Sequence, residues 1–302
     1  MNYVGLKAFL NDNKIPFTQN EAMKKHTTFK IGGAADIFTQ PNSVEQLSLI
    51  VDYCKKESIP FFVLGKGSNL LVSDYGFEGV VISTLSLDFM ELSSENTIRC
   101  GTGAVLTNLC TFALKNSLSG LEFAFGIPGS VGGAVYMNAG AYGGEIKNCI
   151  LSATVLNENG EIVTVSAKDM CLGYRTSIFK TDNSVILSAE FGLNKANALD
   201  IREKMDDFIT RRKTKQPLEF GSAGSTFKRP EGFFAGALIE VAGLKGFSIG
   251  DAQVSEKHAG FVINRSNATA EDVSNLIKHI QATVLEKSGV SLEPEIIFVG
   301  KF

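Results

Sequence analysis

The chain has very little histidine. Only His26, His258 and His279 occur in 302 residues, and none lies near a cysteine or another histidine in sequence. A zinc site or an imidazole-activated nucleophile therefore has little support. Each histidine is read as structural. Cysteine is sparse as well: Cys54, Cys100, Cys110, Cys149 and Cys171 are scattered, with no CxxC pair and no metal-ligand spacing. They are read as reduced thiols in a cytoplasmic protein, and no metal is expected. No apolar run approaches the ~20 residues that span a bilayer, so no membrane association is expected. The opening "MNYVGLKAFLNDNK" has Asn and Asp where a signal peptide needs its apolar centre. Neither charge sign dominates, since the net charge is −3. A nucleic-acid partner is not expected, and any cationic site must be local.

What is present is apolar, glycine-rich and long enough for two or three packed units. Hydrophobic residues make up 44% of the chain, which reads as globular with a sizeable core. "ADIFTQP" reads as a strand. A helix follows in "NSVEQLSLIVDYCKKESIP", capped by Asn42 or Ser43, with Val44, Leu47, Ile50, Val51 and Cys54 on one face. "FFVLG" is a short buried strand leading into the loop "GKGSN", and "LLVSD" and "GVVIST" are further strands. Residues 85 to 195 are strand-rich, with a hairpin turning at Asn159-Gly160 and one amphipathic helix near "VLTNLCTFALKNS". A helix over "NALDIREKMDDFITRRKTKQP" links to a last region that reads β-α-β-β-α-β. Its second helix starts at a capping-box-like Thr269 and Asp272 and stops at Gly289. The expected division is 1–84, 85–195 and 196–302.

Two glycine stretches stand out. Gly65, Lys66, Gly67, Ser68 and Asn69 lie between two apolar strands, where glycine permits positive φ and close backbone approach. Successive N–H groups in such a turn form an anion-binding concavity. The spacing matches neither a Walker A loop nor GxGxxG, and by itself the loop is equally a tight ligand-free hairpin. The second stretch, "GIPGSVGGAVYMNAGAYGGEI", exposes so much backbone that two such loops together suit the pyrophosphate of a dinucleotide. The alternative is a tightly packed Gly/Ala crossing.

Seven stretches occur in one order: "TTFKIGGAADIF", "LGKGSNLLVSD", "GIPGSVGGAVYMNAGAYGGE", "YRTSIFK", "GSAGSTFKRP", "GDAQVSEKHAGFVIN" and "LEPEIIFVG". From about Thr27 to Gly300 the chain resembles the UDP-N-acetylenolpyruvoylglucosamine reductase family. The resemblance implies an α+β fold: an FAD-binding module of the vanillyl-alcohol-oxidase/PCMH type, in two subdomains (1–84 and 85–195), then a C-terminal βαββαβ substrate domain (196–302). It implies non-covalent FAD held by Gly65, Lys66, Gly67, Ser68, Asn69, Leu70, Pro128, Gly129, Ser130, Gly132 and Gly133, with Asn138 nearby. NADPH is the implied co-substrate and a UDP-sugar the implied substrate, reduced in the peptidoglycan precursor pathway of the cytoplasm. A monomer is expected. The compact spacing after "YRTSIFK" resembles the shorter subtype, so no lid tyrosine is carried over.

The implied chemistry passes hydride from NADPH to flavin N5 and then to the vinyl methylene of the enolpyruvyl group. Ser225 is the implied proton donor to the adjacent carbon, acting as an acid and not as a nucleophile, so no histidine is required. Lys228 is expected to lower its hydroxyl pKa; a capped surface turn is the alternative for this serine. Arg175 is implied as the fork that holds the substrate carboxylate and growing enolate. Glu295 is its implied partner near the reacting centre. Glu293 falls on the same face by alternation, so the sequence does not separate the two. Tyr142, Lys215 and Arg229 are expected to bind substrate, Lys215 and Arg229 near the diphosphate. Arg211 and Arg212 also suit a helix C-terminus. A related FAD-dependent oxidase of another small substrate is the competing reading.

Overall fold

The structure is a computed structural model that describes residues 3–302. The described chain forms seven α-helices and nineteen strands. The helices are α1 Val4–Asp12, α2 Val44–Lys56, α3 Leu106–Lys115, α4 Val131–Tyr136, α5 Ala198–Lys215, α6 Ala235–Val241 and α7 Ala270–Ser288. The first ten strands are β1 Phe17–Ala22, β2 Ala34–Thr39, β3 Phe61–Leu64, β4 Leu70–Val72, β5 Phe77–Ser83, β6 Met90–Ser94, β7 Thr97–Gly101, β8 Leu118–Ser119, β9 Gly140–Ala141 and β10 Gly144–Glu145. The rest are β11 Ile150–Leu156, β12 Ile162–Ser166, β13 Val185–Gly192, β14 Asn194–Lys195, β15 Gly221–Ser222, β16 Ser248–Ile249, β17 Ala252–Val254, β18 Val262–Asn264 and β19 Ile297–Val299. Helices and strands mix in the α+β manner expected.

The chain divides into two compact units, neither of them one continuous stretch. The first takes residues 1–18, 38–66 and 79–212; the second takes 19–37, 67–78 and 213–302. These cuts differ from divisions at 84 and 195, because two early segments join the C-terminal residues.

In the first unit, β12-β11-β13-β7-β6 form a five-stranded antiparallel sheet. The turn from β11 to β12 carries Gly160 at φ 81°, as the Asn-Gly signal requires. Strand β3 pairs in parallel with β5, Phe61 opposite Val80. Helix α2 starts at Ser43, whose Oγ accepts from the Gln46 N–H at 3.2 Å, and buries Leu47, Ile50, Val51 and Cys54. Helix α3 buries Leu106, Leu109, Cys110, Ala113 and Leu114 in a core shared with Ile98, Val135, Ala153, Ala189 and Phe191.

In the second unit, β15-β18-β17-β16 form a four-stranded antiparallel sheet, with α6 between β15 and β16 in the chain and α7 after β18. The βαββαβ pattern thus gains one short strand. Helix α7 is framed as its sequence demands. Thr269 Oγ1 accepts from the Asp272 N–H and Asp272 accepts from the Thr269 N–H, both at 3.0 Å; Gly289 ends the helix at φ 71°. Its buried stripe is Val273, Leu276, Ile277, Ile280 and Val284, each side chain contributing ~1.5–3 kcal/mol by burial. The last strand, β19, lies outside this sheet and pairs in parallel with β4, Ile297 opposite Leu70.

Candidate active site

The "GKGSN" loop is not a hairpin. Strand β3 before it pairs with β5, and β4 after it pairs with β19. The loop therefore joins two sheets, and the chain passes from the first unit to the second between Lys66 and Gly67.

On the first unit, Gly65 meets the second glycine stretch. A Cβ added at Gly65 would lie 2.2 Å from Ser130 Oγ, so only glycine permits the two loops to touch. Ser130 caps α4, and its Oγ accepts from the Gly133 N–H at 3.5 Å. The N–H groups of Val131 and Gly132 go to the carbonyls of Ala104 and Thr102. Lys66, Pro128 and Gly133 are exposed and Gly129 is half-buried. At Gly133 an added Cβ would meet only Ser130 Oγ, at 3.5 Å. Small side chains, a buried hydroxyl and exposed main chain fit a flat dinucleotide laid against these loops. Close packing also shapes this stretch. Gly132 packs on Thr102 Oγ1, and a Cβ at Gly144 would overlap Phe123.

Asn138 is fully buried at φ 42°. Its Nδ2 donates to Glu145 Oε2 at 2.6 Å and to the Gly173 carbonyl at 2.8 Å, and its Oδ1 accepts from the Lys147 N–H at 2.9 Å. It ties the end of α4 to the turn Gly173–Thr176, which carries Arg175. Arg175 is half-buried at φ 54°. Its Nη2 donates to the Gly140 carbonyl at 3.2 Å, and its guanidinium lies 5.3 Å from the centre of the Tyr174 ring. Tyr142, also at positive φ, stacks on Phe208 with centroids 4.8 Å apart.

The basic cluster splits in two. Arg211 is exposed and pairs with Asp207 at 2.8 Å, one helical turn away. Arg212 is 6% exposed and lies 5.7 Å from the Tyr142 ring; burial lowers its pKa. The sequence pattern alone treated the two as one helix terminus. The 3.6-residue period of α5 was the available signal, because Ile201, Met205 and Arg212 share its buried face.

On the second unit, four of the sequence stretches converge through backbone bonds. The Thr28 N–H donates to the Gly67 carbonyl at 3.1 Å, and Thr28 Oγ1 to the Ser222 carbonyl at 2.7 Å. Asn69 Nδ2 donates to the Glu295 carbonyl at 3.2 Å, and the Ile297 N–H donates to the Asn69 carbonyl at 2.9 Å. The Glu295 N–H donates to the Thr226 carbonyl at 2.8 Å, and Phe227 bridges Pro294. Gly67 and Leu70 are buried, while Ser68 and Asn69 are half-buried. Gly67, at φ 63°, admits no side chain: a Cβ would lie 2.1 Å from the His26 carbonyl.

Ser225 is exposed beside Gly224, around whose Cβ position nothing lies within 4 Å. Its segment runs antiparallel to the one carrying Glu295. Glu295 is half-buried; Glu293 is exposed and ion-paired with Lys228 Nζ. That pairing separates the two glutamates. It also turns Lys228 to Glu293, in place of the role at Ser225 expected from sequence. Lys215 is exposed at the end of α5. Arg229 is exposed, its guanidinium 4.3 Å from the centre of the Phe234 ring. Thr226 and His258, which the sequence did not single out for the site, are joined to this segment by hydrogen bonds through Gly260.

Among the described residues no cluster of His, Cys, Asp or Glu could hold a metal, and no helix is long and apolar enough to cross a membrane. All five cysteines are free; only Cys171 is exposed. Burial pushes the Cys54 thiol up to about 12, so it is inert at neutral pH.

Two family patterns match. One is described as "FAD binding domain", over residues 35–166; the other is "UDP-N-acetylenolpyruvoylglucosamine reductase, C-terminal domain", over residues 216–299. The class is that of the FAD-containing oxidoreductases. The UDP-N-acetylenolpyruvoylglucosamine reductase of Clostridium novyi (strain NT) is 49% identical over 98% of this chain and 95% of its own length. That of Caldanaerobacter subterraneus subsp. tengcongensis is 49% identical over 98% of this chain and 97% of its own. The crystal structure of the Thermus caldophilus enzyme superimposes with a TM-score of 0.81 at 31% identity, covering 95% of this chain and 99% of that one. The chain belongs to the UDP-N-acetylenolpyruvoylglucosamine reductase family.

Proposed function

We propose that this protein reduces UDP-N-acetylglucosamine enolpyruvate to UDP-N-acetylmuramate with NADPH, through bound FAD, in the cytoplasm and as a monomer. The observation that carries the reading is the backbone pairing of the Ser225 segment with the Glu295 segment, one hydrogen bond from the glycine loop at Asn69. When bound, FAD relays hydride from NADPH to the vinyl methylene of the substrate. The chain's own residues do the rest. Gly65 to Leu70, Pro128 to Ser130, Gly132 and Gly133 give the cofactor a main-chain bed. Asn138 sets the turn behind Arg175.

Arg175 holds the substrate carboxylate with its planar fork and stabilises negative charge as it spreads there. Ser225 gives its Oγ proton to the carbon that becomes the chiral centre; Gly224 leaves room for close approach. Glu295, paired through its backbone with the chain neighbour of Ser225, supplies a carboxylate that steers that proton. Tyr142, Lys215 and Arg229 receive the UDP portion, the two cations meeting the diphosphate. Residues 1–84 and 85–195 form the two flavin subdomains in this reading, and 196–302 the substrate part.

The test is direct. Purified protein should be yellow, and it should oxidise NADPH rapidly only with the enolpyruvyl UDP-sugar present. NADPH oxidation indifferent to that substrate, with turnover of another small alcohol or amine, favours the related-oxidase reading.

A further inference from the structure

His258 is one of three histidines, yet it belongs to none of the roles above. Its ring is half-buried and held from several sides. Cβ atoms built at Gly236 on α6 and at Gly260 would lie 3.3 and 3.0 Å from its Cε1, and Phe261 packs edge-on with centroids 5.1 Å apart. The His258 N–H donates to Ser255 Oγ at 3.2 Å. The Gly260 N–H donates to His258 Nδ1 at 3.1 Å. A peptide N–H is only a donor, so Nδ1 must present a lone pair, and the ring proton sits on Nε2. Gly260 is fixed at its other end too, its carbonyl accepting from the Thr226 N–H at 2.9 Å. Thr226 is buried, follows Ser225 in the chain, and takes the Val262 N–H on its Oγ1 at 2.9 Å and the Glu295 N–H on its carbonyl.

We infer that His258 is a positioning residue for Ser225, acting through Gly260 and Thr226, and that it holds this segment only as the neutral imidazole protonated on Nε2. The inference rests on the reductase reading for its consequence, but not for its geometry. Protonation would put a second N–H on Nδ1, facing the Gly260 N–H. The bond is then lost and two donors oppose each other. The charged groups around the ring are Glu240 on α6, Lys245 in the following loop and Lys215 at the end of α5. Burial is the largest influence and the net effect lowers the His258 pKa; a backbone hydrogen bond at His258 and then Glu240 oppose it, and the two lysines add to it. The ring is therefore neutral at pH 7. The device fails as pH falls below the ordinary histidine range of ~6.5.

The test uses the flavin-loaded enzyme labelled with 15N-histidine. Imidazole 15N shifts give the tautomer, and His258→Asn identifies the signals of residue 258. An Nε2–H tautomer is expected; an Nδ1–H tautomer overturns the inference whatever the activity. Single-turnover rates are then read separately for reduction by NADPH and for reoxidation by substrate, from pH 5 to 8. The substrate half should lose rate at acid pH together with the His258 titration, while the NADPH half lacks that limb. His258→Leu, lacking any acceptor, should slow the substrate half by about 10-fold, the scale of one net hydrogen bond. Asn can accept the i+2 N–H without titrating. His258→Asn should therefore recover most of that rate and flatten the acid limb. An unchanged limb in His258→Asn overturns the proposal. A wild-type enzyme that never turns over the enolpyruvyl substrate overturns the reductase reading instead, and the tautomer measurement still judges His258.

Discussion

Glu295 and Thr226 are joined backbone to backbone, the N–H of one donating to the carbonyl of the other at 2.8 Å. This single bond sets a carboxylate beside the chain neighbour of Ser225. Because Asn69 holds the Glu295 carbonyl as well, the segments carrying Ser225, Glu295 and Asn69 share one frame within the second unit.

If that frame delivers a proton, Ser225→Ala should separate the two half-reactions. Flavin reduction by NADPH should be unchanged. Substrate reduction should slow by ~10²–10⁴, the range for a lost general acid. Stopped-flow absorbance of the flavin reads both; equal slowing of the two halves contradicts the role.

Arg175→Lys keeps the charge and loses the fork. Reoxidation by substrate should slow on the order of 10-fold or more, the loss expected when a two-point charge-assisted contact becomes one. Reduction by NADPH serves as the internal control, and a variant matching wild type in both halves removes Arg175 from the site.

Gly133 offers a test of the cofactor bed. An added methyl meets only Ser130 Oγ at 3.5 Å, so Gly133→Ala should leave thermal unfolding of the apoprotein within a degree or two, surface substitutions being within about 0.5 kcal/mol. Flavin affinity, titrated by fluorescence quenching, should fall clearly. Unaltered affinity means that this glycine does not line the cofactor.

Thr226→Val is nearly isosteric but removes the acceptor of the buried Val262 N–H. Stranding that donor should cost ~1–3 kcal/mol. The urea midpoint should fall with the slope unchanged. Thr226→Ser keeps the hydroxyl and should recover much of the loss.

Flavin should be releasable. The five cysteines stand outside the glycine loops and four of them are buried; His26 meets Gly67 through its carbonyl, while its ring Nε2 bonds Glu21 at 2.9 Å. Acid precipitation should leave the yellow colour in the supernatant; colour retained in the pellet points to covalent attachment and to the oxidase reading.

Much of the scaffold was written locally. Ser43, the Thr269–Asp272 box and Gly289 fix helix ends through bonds spanning three or four residues. The Asn159-Gly160 turn sets its hairpin in the same way. The motif order was also legible, and with it the family. Other features were not. The "GKGSN" loop has hairpin chemistry, but its flanking strands pair elsewhere. Arg211 and Arg212 carry the same side chain, and Arg212 is the one buried because it falls in helical phase with Ile201 and Met205, a signal that reading the basic cluster as a helix terminus passed over. Glu293 and Glu295 share an alternation phase and separate because Lys228 takes the first.

By itself the sequence determined the elements, their caps and the chemistry carried in each stretch, since these depend on side-chain period and on contacts a few residues long. Only tertiary structure decided that Asn69 meets Glu295 across 226 residues, that β19 pairs with β4, and that Gly260 links His258 to Thr226. Such pairings are chosen by which buried N–H groups must find acceptors once the cores close, and that choice has no local signature.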